Sequence, residues 1–314
     1  MRVTPIYTNT YWGSDKRLSQ NSYKPSFEAY VYKPGRDRRY MLSNLNPIKK
    51  IVDDIVDKTM KFARLRVRPL SKALKAMTQE VQLSDKNGKA LTHAWDINPG
   101  DRKKYVLILH GTGQNITNLQ NVYEQVVNRT DFAVLAPEFR GFGKDDFSNI
   151  SSKSLLTDAS SALDYLKKEK GVEPKDVLVI GHSLSCKVAT DLAVKNKDLG
   201  GVVLFSPIDS FSESMNFDKS LSNKISKSLL FMYHKLKFLN RDFDKFYGIG
   251  TIIDKVASPV SIVHSKDDSF VNYSSSSLIA GKCKNLTSLC FLESGGHKFD
   301  KSKTEKLVEI LNSY

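Results

Sequence analysis

The fold is decided by residues 176–194, which read DVLVIGHSLSCKVATDLAV. An apolar run over 176–180 predicts a buried β-strand, and the spacing of apolar residues over 184–194 predicts a helix. Between them lies GHSLS, residues 181–185. A strand that passes directly into a helix needs a tight turn, and the glycine that opens this motif lets the two elements approach closely. The sequence therefore predicts that Ser183 stands on a sharp turn above the end of a strand.

Ser183 has the surroundings of an activated nucleophile. The N-terminus of the predicted helix offers its dipole and the N–H of Leu184 to a negative charge that develops on a bound oxygen atom. Ser185 stands where such a turn usually has glycine, a departure that a small side chain tolerates. The alternative is that Ser183 only caps the helix, a common role of serine. Cys186 has no basic partner in the sequence, so we expect it to serve packing.

Predicted strands and helices alternate on both sides of this stretch. Residues 80–83 and 91–95 flank an Asp-Lys-Asn-Gly turn and predict an antiparallel hairpin. Other short strands are predicted at 105–109, 132–135, 176–180, 201–205, 260–263 and 288–292. Predicted helices at 118–127, 154–169 and 184–194 separate the first four of them. Strands separated by helices form a parallel sheet with both faces covered. The predicted fold class is therefore α/β, with a mostly parallel central sheet flanked by helices.

A second glycine-rich motif, HGTG at residues 110–113, directly follows the first parallel strand. A turn of this kind aims a backbone N–H at the place above the strand ends where Ser183 is expected. We assign Thr112 as an oxyanion donor beside Leu184. We also expect His110, Gly111 and His182 to contact substrate. The alternative is a plain turn between strand and helix.

The chain resembles the α/β-hydrolase family in the order and context of three motifs. They are HGTG, then EFRGFG at residues 138–143, then GHSLS. The chain is most similar to the serine-hydrolase branch that groups carboxylesterases, lysophospholipases and serine aminopeptidase-like proteins, and the similarity covers residues 78–314. The resemblance implies an α/β-hydrolase fold and the chain order nucleophile, acid, histidine. Glu138 departs from this pattern, because the branch commonly has aspartate there.

The resemblance also indicates an acid for Ser183. VHSKDDSFV, residues 263–271, is similar to the family's segment in which a strand leads to the acid, and this register gives the acid role to Asp268. Asp267 is the alternative in register, and Asp209 is a second alternative after an earlier strand. Alternatively, the Asp267–Asp268 pair lies in a solvated loop and only caps the helix that follows.

GGHKF, residues 295–299, follows the last predicted strand, where the family has its histidine. A glycine-rich loop suits the delivery of one imidazole nitrogen to Ser183 while the acid fixes the other. The other five histidines belong to the motifs above, end a strand or lie away from the strand tips. They are His93, His110, His182, His234 and His264. We therefore predict His297 as the base.

Residues 209–250 interrupt the alternation of strands and helices where hydrolases of this fold carry a lid. The insertion is rich in aromatic and aliphatic residues, and we expect Phe211 to contribute to substrate binding. An apolar insertion favours a hydrophobic acyl or aryl ester, or a thioester, as substrate. The alternative is a lid that only packs on the core.

The N-terminal part of the chain is basic. The net charge is +14, and residues 1–80 alone hold 17 Lys and Arg against 7 Asp and Glu. Residues 1–45 lack periodicity and predict a poorly ordered extension, whereas 46–77 predict a basic amphipathic helical segment. This segment is a candidate for contact with an anionic membrane surface, although docking on the hydrolase core is the interpretation we favour. We expect no nucleic-acid partner, because no binding module is recognisable.

Composition places the chain among ordinary globular proteins, with 40% hydrophobic and 26% charged residues. No run of apolar residues is long enough for a membrane-spanning helix or a secretory signal, so we expect a cytoplasmic protein, with peripheral membrane contact as the variant. The three cysteines are not at metal-ligand spacings. The sequence indicates no metal or organic cofactor.

These observations predict a serine hydrolase that cleaves the ester or thioester bond of a small-molecule acyl substrate through an acyl-enzyme on Ser183. Fold and motifs do not separate an esterase from a peptidase or amidase. A third hypothesis is a non-catalytic binding or membrane-surface protein that kept the fold. Its only support is Ser185 and the altered flank that follows it.

Overall fold

The computed structural model describes residues 67–111, 113–143, 150–210, 214 and 247–314 of the 314-residue chain. The predicted extension at 1–45, the predicted helical segment as far as residue 66 and almost all of the predicted lid lie outside the described residues. Within the described ranges, no helix is long and apolar enough to cross a membrane.

One eight-stranded sheet organises these residues, in the order β1-β2-β4-β3-β5-β6-β7-β8. Its strands are β1 (Thr78–Ser84), β2 (Ala90–Ile97), β3 (Tyr105–Leu109), β4 (Ala133–Pro137), β5 (Val177–His182), β6 (Gly201–Phe205), β7 (Val260–Ser265) and β8 (Leu286–Leu292). β1 and β2 run antiparallel to their neighbours, and the remaining pairs are parallel. The mostly parallel sheet predicted from the sequence is therefore confirmed.

The first two strands form the predicted hairpin. The Asp85 carboxylate accepts hydrogen bonds from the N–H groups of Asn87 and Lys89, at 2.9 and 3.0 Å. Gly88 has φ of 78°, a backbone conformation in which glycine is strongly favoured. The strands extend beyond the predicted bounds, because they pair from Thr78 with Ile97 to the turn.

Within the described part of the chain, six helices cover the sheet: α1 (Lys72–Lys75), α2 (Gln120–Arg129), α3 (Ser152–Lys168), α4 (Leu184–Lys195), α5 (Ser274–Lys282) and α6 (Lys301–Leu311). Polar side chains define several of their starts. Ser151 and Ser154 form a reciprocal capping box at α3, and the carboxylate of Asp300 accepts from the N–H of Lys303 at α6. Short 3₁₀ turns at Ile116–Leu119, Pro174–Asp176 and Ile253–Lys255 complete the connections.

Alternating residues of the strands divide the core into two layers. Tyr105, Leu107 and Leu109 of β3 pack with α3, α4 and α5, whereas Val106 and Ile108 pack with α1, α2 and α6. β3, β4, β5, β6 and β7 are buried at every residue, as expected of strands covered on both faces.

The order of the strands opens a crevice for a site. The chain leaves β3 toward β4 on one side, whereas β5 leads to β6 on the other. Loops that follow β3 and β5 therefore diverge at the carboxyl ends of the two strands, which is where parallel sheets of this kind bind ligands.

Candidate active site

The structure brings together Ser183, Asp268 and His297, which follow three different strands of the sheet. Ser183 ends the turn after β5, Asp268 lies three residues beyond β7, and His297 lies five residues beyond β8. His297 Nε2 lies 3.1 Å from Ser183 Oγ, and His297 Nδ1 lies 2.8 Å from Asp268 Oδ2. Each side chain is thus within hydrogen-bond distance of the next.

Ser183 occupies a strained backbone conformation, with φ of 55° and ψ of −118°. Non-glycine residues in such regions of conformational space cost about 1–3 kcal/mol and concentrate at functional sites. Its hydroxyl makes no capping bond to α4. In this conformation the Ser183 hydroxyl faces His297. The alternative that Ser183 only caps the helix is therefore not supported.

Gly181 permits the sharp turn. A Cβ atom at this position would lie 2.7 Å from both the Cα of Cys186 and the carbonyl O of Ser185. Both are backbone atoms at the start of α4, so only glycine allows β5 and α4 to approach this closely.

Asp268 is buried and has a partner for each carboxylate oxygen. Oδ1 accepts the N–H groups of Phe270 and Val271, both at 2.9 Å, while Oδ2 faces His297. Burial alone would raise the pKa of this carboxyl group, but hydrogen bonds from His264, His297 and the Val271 N–H outweigh it. The pKa of Asp268 therefore lies well below its usual range, and the group is a carboxylate at neutral pH.

His264 is a second histidine at Asp268. Its Nε2 lies 3.3 Å from Asp268 Oδ2 and 3.2 Å from the carbonyl O of Val271, and its Nδ1 lies 2.7 Å from Ser276 Oγ. The sequence patterns indicated only that His264 ends a strand. Its four-residue separation from Asp268 was the available signal, since both flank the loop that leaves β7.

The two alternatives to Asp268 have other partners. The Asp209 carboxylate lies 2.7 Å from Lys282 Nζ. Asp267 is exposed, and its two oxygens accept the N–H groups of Gly295 and Gly296 at 3.3 and 2.8 Å. Asp268, by contrast, faces two imidazoles, so the geometry favours Asp268 as the acid.

Ser185 is buried and bridges two strands. Its hydroxyl accepts the N–H of His182 and donates to the carbonyl O of Leu109, each at 2.7 Å. A glycine here would leave this gap between β3 and β5 without a hydroxyl bridge. The departure from the usual motif is thus compatible with an ordered turn. Cys186 is also buried, which raises the pKa of its thiol, in agreement with the predicted packing role.

His182 supports the loop that carries His297. Its Nε2 lies 2.7 Å from the backbone carbonyl O of His297, and the two rings have centroids 5.2 Å apart. Burial and the neighbouring charge of His297 lower the pKa of His182 to about 3. A neutral imidazole with its proton on Nε2 fits this contact.

His110 is buried beneath the turn after β3. Its Nε2 lies 2.9 Å from Glu138 Oε1 and its Nδ1 lies 3.2 Å from the carbonyl O of Gly111. Both ring nitrogens therefore have protein partners, and the substrate contact expected of His110 stays a prediction. The Glu138 side chain also accounts for the glycine at position 143, because a Cβ atom there would lie 2.0 Å from Glu138 Oε2.

Gly111 lies against the turn that carries Ser183. A Cβ at Gly111 would be 2.9 Å from His182 Nδ1, so a side chain there would displace the residue before Ser183. Leu184 is the first residue of α4, where a backbone N–H has no acceptor one turn earlier in the helix. Thr112 and Phe211, the other predicted contacts, lie outside the described residues.

An exposed aromatic ring borders the site. Phe270 is 48% exposed, and its ring centroid lies 5.2 Å from that of His297. A hydroxyl, an imidazole and a carboxylate in this sequence of contacts can generate a nucleophilic serine by proton transfer. The neighbouring apolar ring offers contact area to a molecule bound beside the imidazole.

Comparisons with known proteins agree with this fold. Residues 100–247 match the family described as serine aminopeptidase, S33. Alpha/beta hydrolase domain-containing protein 17B of Xenopus laevis is 24% identical over 195 residues, which cover 62% of this chain and 60% of that protein. The chain thus spans less than two thirds of the length of this relative.

Two solved structures share the fold. An alpha-beta hydrolase from Vibrio vulnificus has a TM-score of 0.63 at 17% identity and covers 86% of this chain and 94% of its own. An esterase of Pyrococcus furiosus has a TM-score of 0.60 at 18% identity, covering 79% and 95%. The sheet, the helices and these comparisons lead to one conclusion: this chain has the fold of the α/β hydrolases and is similar in sequence to proteins of that family.

Proposed function

We propose that this chain is a serine hydrolase that cleaves a carboxylic ester or thioester through an acyl-enzyme on Ser183. Similarity to α/β hydrolases supports a hydrolytic enzyme. The observation that carries the finer proposal is the pair of contacts at His297, 3.1 Å to Ser183 Oγ and 2.8 Å to Asp268 Oδ2. A base must lie within about 2.6–3.2 Å of the proton that it removes, and His297 meets this condition.

The first half of the reaction forms the acyl-enzyme. His297 Nε2 takes the proton of Ser183 as Oγ attacks the substrate carbonyl carbon, and the Asp268 carboxylate stabilises the resulting imidazolium. The N–H groups of Leu184 and Thr112 hold the oxyanion of the tetrahedral intermediate. The bond to the leaving group then breaks, and the proton on His297 Nε2 passes to the departing oxygen or sulfur.

The second half releases the acid. Water attacks the acyl carbon while His297 Nε2 accepts one of its protons, and collapse of the second intermediate returns that proton to Ser183 Oγ. The free enzyme is restored, and one water molecule is consumed for each bond cleaved.

An apolar substrate fits the mouth of the site. The half-exposed ring of Phe270 stands beside His297, the residue proposed to protonate the leaving group. Burial of a phenyl or alkyl group against such a ring contributes about 25 cal/mol per Å² of apolar surface. The similar structure from Pyrococcus furiosus is described as an esterase, and ester cleavage is the reaction proposed for this chain.

A peptidase or amidase is the second candidate, and the match to the serine aminopeptidase family favours it. The two candidates share nucleophile, base and acid, and they differ in the leaving group that His297 must protonate. Parallel assays with p-nitrophenyl esters and aminoacyl p-nitroanilides separate them.

The test is hydrolysis of p-nitrophenyl esters of increasing chain length by the wild type and by Ser183→Ala. We expect ester turnover by the wild type and a loss of at least about 1000-fold in kcat for the variant, with an unchanged circular dichroism spectrum. Retained turnover in Ser183→Ala would overturn the proposal. Faster cleavage of anilides than of esters would favour the peptidase.

A further inference from the structure

Lys303 is a buried lysine whose ammonium group lies beneath the loop that carries His297. Its relative exposure is 0%, which is rare for lysine unless the charge is fully paired. Lys303 Nζ lies 2.8 Å from Ser265 Oγ, 2.5 Å from the carbonyl O of Gly296 and 3.3 Å from that of Gly295. The three N–H donors of the ammonium thus meet three acceptors.

Asp267 binds the same two glycines through their other backbone groups. Its carboxylate accepts the N–H of Gly296 at 2.8 Å and that of Gly295 at 3.3 Å. Both carbonyl groups of this dipeptide therefore face a cation, and both N–H groups face an anion. Charge-assisted hydrogen bonds of this kind are roughly twice as strong as neutral ones.

The glycines have little conformational preference of their own. Gly295 has φ of 139° and Gly296 has φ of 57°, regions that side chains rarely allow. A Cβ at Gly295 would lie 2.9 Å from Ser265 Oγ and 3.0 Å from Asp300 Oδ2. Since glycine loses the most backbone freedom on ordering, this loop needs external contacts to hold one conformation.

We propose that Lys303 and Asp267 form a loop clamp that positions His297 for proton transfer with Ser183. Both are positioning residues, because neither touches Ser183 or the imidazole. The clamp ends one residue before His297, so movement of the dipeptide moves the imidazole directly. The role rests on the proposed serine hydrolase, in which a misplacement of 1 Å costs about 100-fold in rate.

Packing alone does not require an ammonium at this position. Burial lowers the pKa of Lys303, and the carboxylates of Asp300, Asp268 and Asp267 oppose this change. Removing an ammonium from water costs several kcal/mol, whereas a methionine would fill a similar volume without that cost. The compensation lies in the two carbonyl groups of the loop and in Ser265, which joins the loop to the end of β7.

The experiment compares Lys303→Met and Asp267→Ala with two matched controls. Lys306→Met removes a lysine of the same helix that pairs with Glu309, and Glu293→Ala removes an acid near the loop that pairs with Lys266. Asp267 is exposed, so Asp267→Ala tests the clamp even if Lys303→Met does not fold. The readouts are hydrogen exchange of peptide 293–299, the rate constant and total extent of labelling by a fluorophosphonate, and kcat and KM for a p-nitrophenyl ester.

We expect faster exchange of peptide 293–299 in both clamp variants and in neither control. The labelling rate constant falls by about 10- to 100-fold, and kcat for a p-nitrophenyl ester falls with KM unchanged. The total label incorporated at completion stays at one per chain. A purely structural role would instead reduce that total and leave the rate constant of the folded fraction unchanged, which overturns the proposal.

The two proposals fail in different places. Failure of the serine hydrolase is seen in the wild type, which would then take up no label. Failure of the clamp is seen in the variants: unchanged exchange of peptide 293–299 shows that Lys303 and Asp267 do not hold the loop. Faster exchange with an unchanged labelling rate constant shows that holding it does not position His297, and this also overturns the inference.

Discussion

The hydroxyl of Ser185 donates a 2.7 Å hydrogen bond to the carbonyl O of Leu109, and this bond joins the turn that carries Ser183 to the end of β3. The same oxygen accepts the N–H of His182. Because Ser185 is fully buried, its removal leaves two backbone groups without this partner and away from water. Ser185, which departs from the usual motif, thus connects the turn after β5 to the end of β3.

Ser185→Ala should lower the free energy of unfolding by about 1–3 kcal/mol, the cost of unsatisfied buried groups. Urea denaturation measures the change. Ser160→Ala is the matched control, since its hydroxyl donates to the Leu156 carbonyl within α3 and its loss should cost under about 0.5 kcal/mol. Equal stability of Ser185→Ala and wild type would mean that the bridge contributes nothing.

Gly181→Ala should destabilise the chain by about 1–3 kcal/mol or more, because its Cβ would strike the backbone at the start of α4. Gly281 in α5 is the control, because a Cβ added there would have open space around it, and Gly281→Ala should be neutral or stabilising by about 0.4–1 kcal/mol. Thermal unfolding compares the two. A tolerated alanine at 181 would contradict the close approach of β5 and α4.

The free energy of unfolding should fall as the pH decreases below about 6.5, in part through His182. Its pKa is about 3 in the folded chain and about 6.5 in the unfolded chain, so only the unfolded state binds this proton between those values. The contribution is fully present above pH 6.5 and is lost toward pH 3, by roughly 1.4 kcal/mol per pH unit at most.

His182→Gln isolates this contribution. Glutamine keeps an N–H donor for the His297 carbonyl but binds no proton, so its unfolding free energy should fall less steeply between pH 6 and 4.5. The lowered pKa of Asp268 also stabilises the fold, but that stability is lost only below about pH 3.9. Urea midpoints at several pH values give the slopes, and parallel slopes for variant and wild type would contradict the burial of a neutral His182.

Asp268→Asn should lower kcat for a p-nitrophenyl ester by about 1000- to 10,000-fold, because the imidazole loses its orienting carboxylate. Asp209→Asn should change kcat less than about twofold, since Asp209 contacts Lys282 and not His297. Asp267→Asn keeps an oxygen for the N–H of Gly296, and we expect less than about a tenfold loss. A larger loss for Asp209→Asn than for Asp268→Asn would reverse the assignment of the acid.

Strong local patterns explain what the sequence predicted well. The apolar run before Ser183 predicted β5. The strand at 105–109 has the predicted bounds, since a strand buried at every residue appears in the sequence as a continuous apolar run. The order of motifs gave Ser183, Asp268 and His297, which the structure brings together. Their catalytic roles stay predictions, as do the roles of Thr112 and Phe211, which lie outside the described residues.

Contacts between distant parts of the chain explain what was missed. In the sequence Lys303 is one basic residue among many, and only the fold places its ammonium beneath Gly295 and Gly296. The same applies to the bridge from Ser185 to Leu109, which are 76 residues apart. The approach of His110 Nε2 to Glu138 Oε1, at 2.9 Å, also depends on the fold, and the substrate contact expected of His110 stays a prediction.

The most direct test of the central claim is to label the full chain with a fluorophosphonate and to locate the adduct by peptide mass spectrometry. We predict one adduct per chain, on Ser183, and no adduct in Ser183→Ala or after heat denaturation, because the proposed activation of this hydroxyl requires the folded arrangement of Asp268 and His297. An adduct on another residue, or a folded wild type that takes up no label, would contradict Ser183 as the nucleophile.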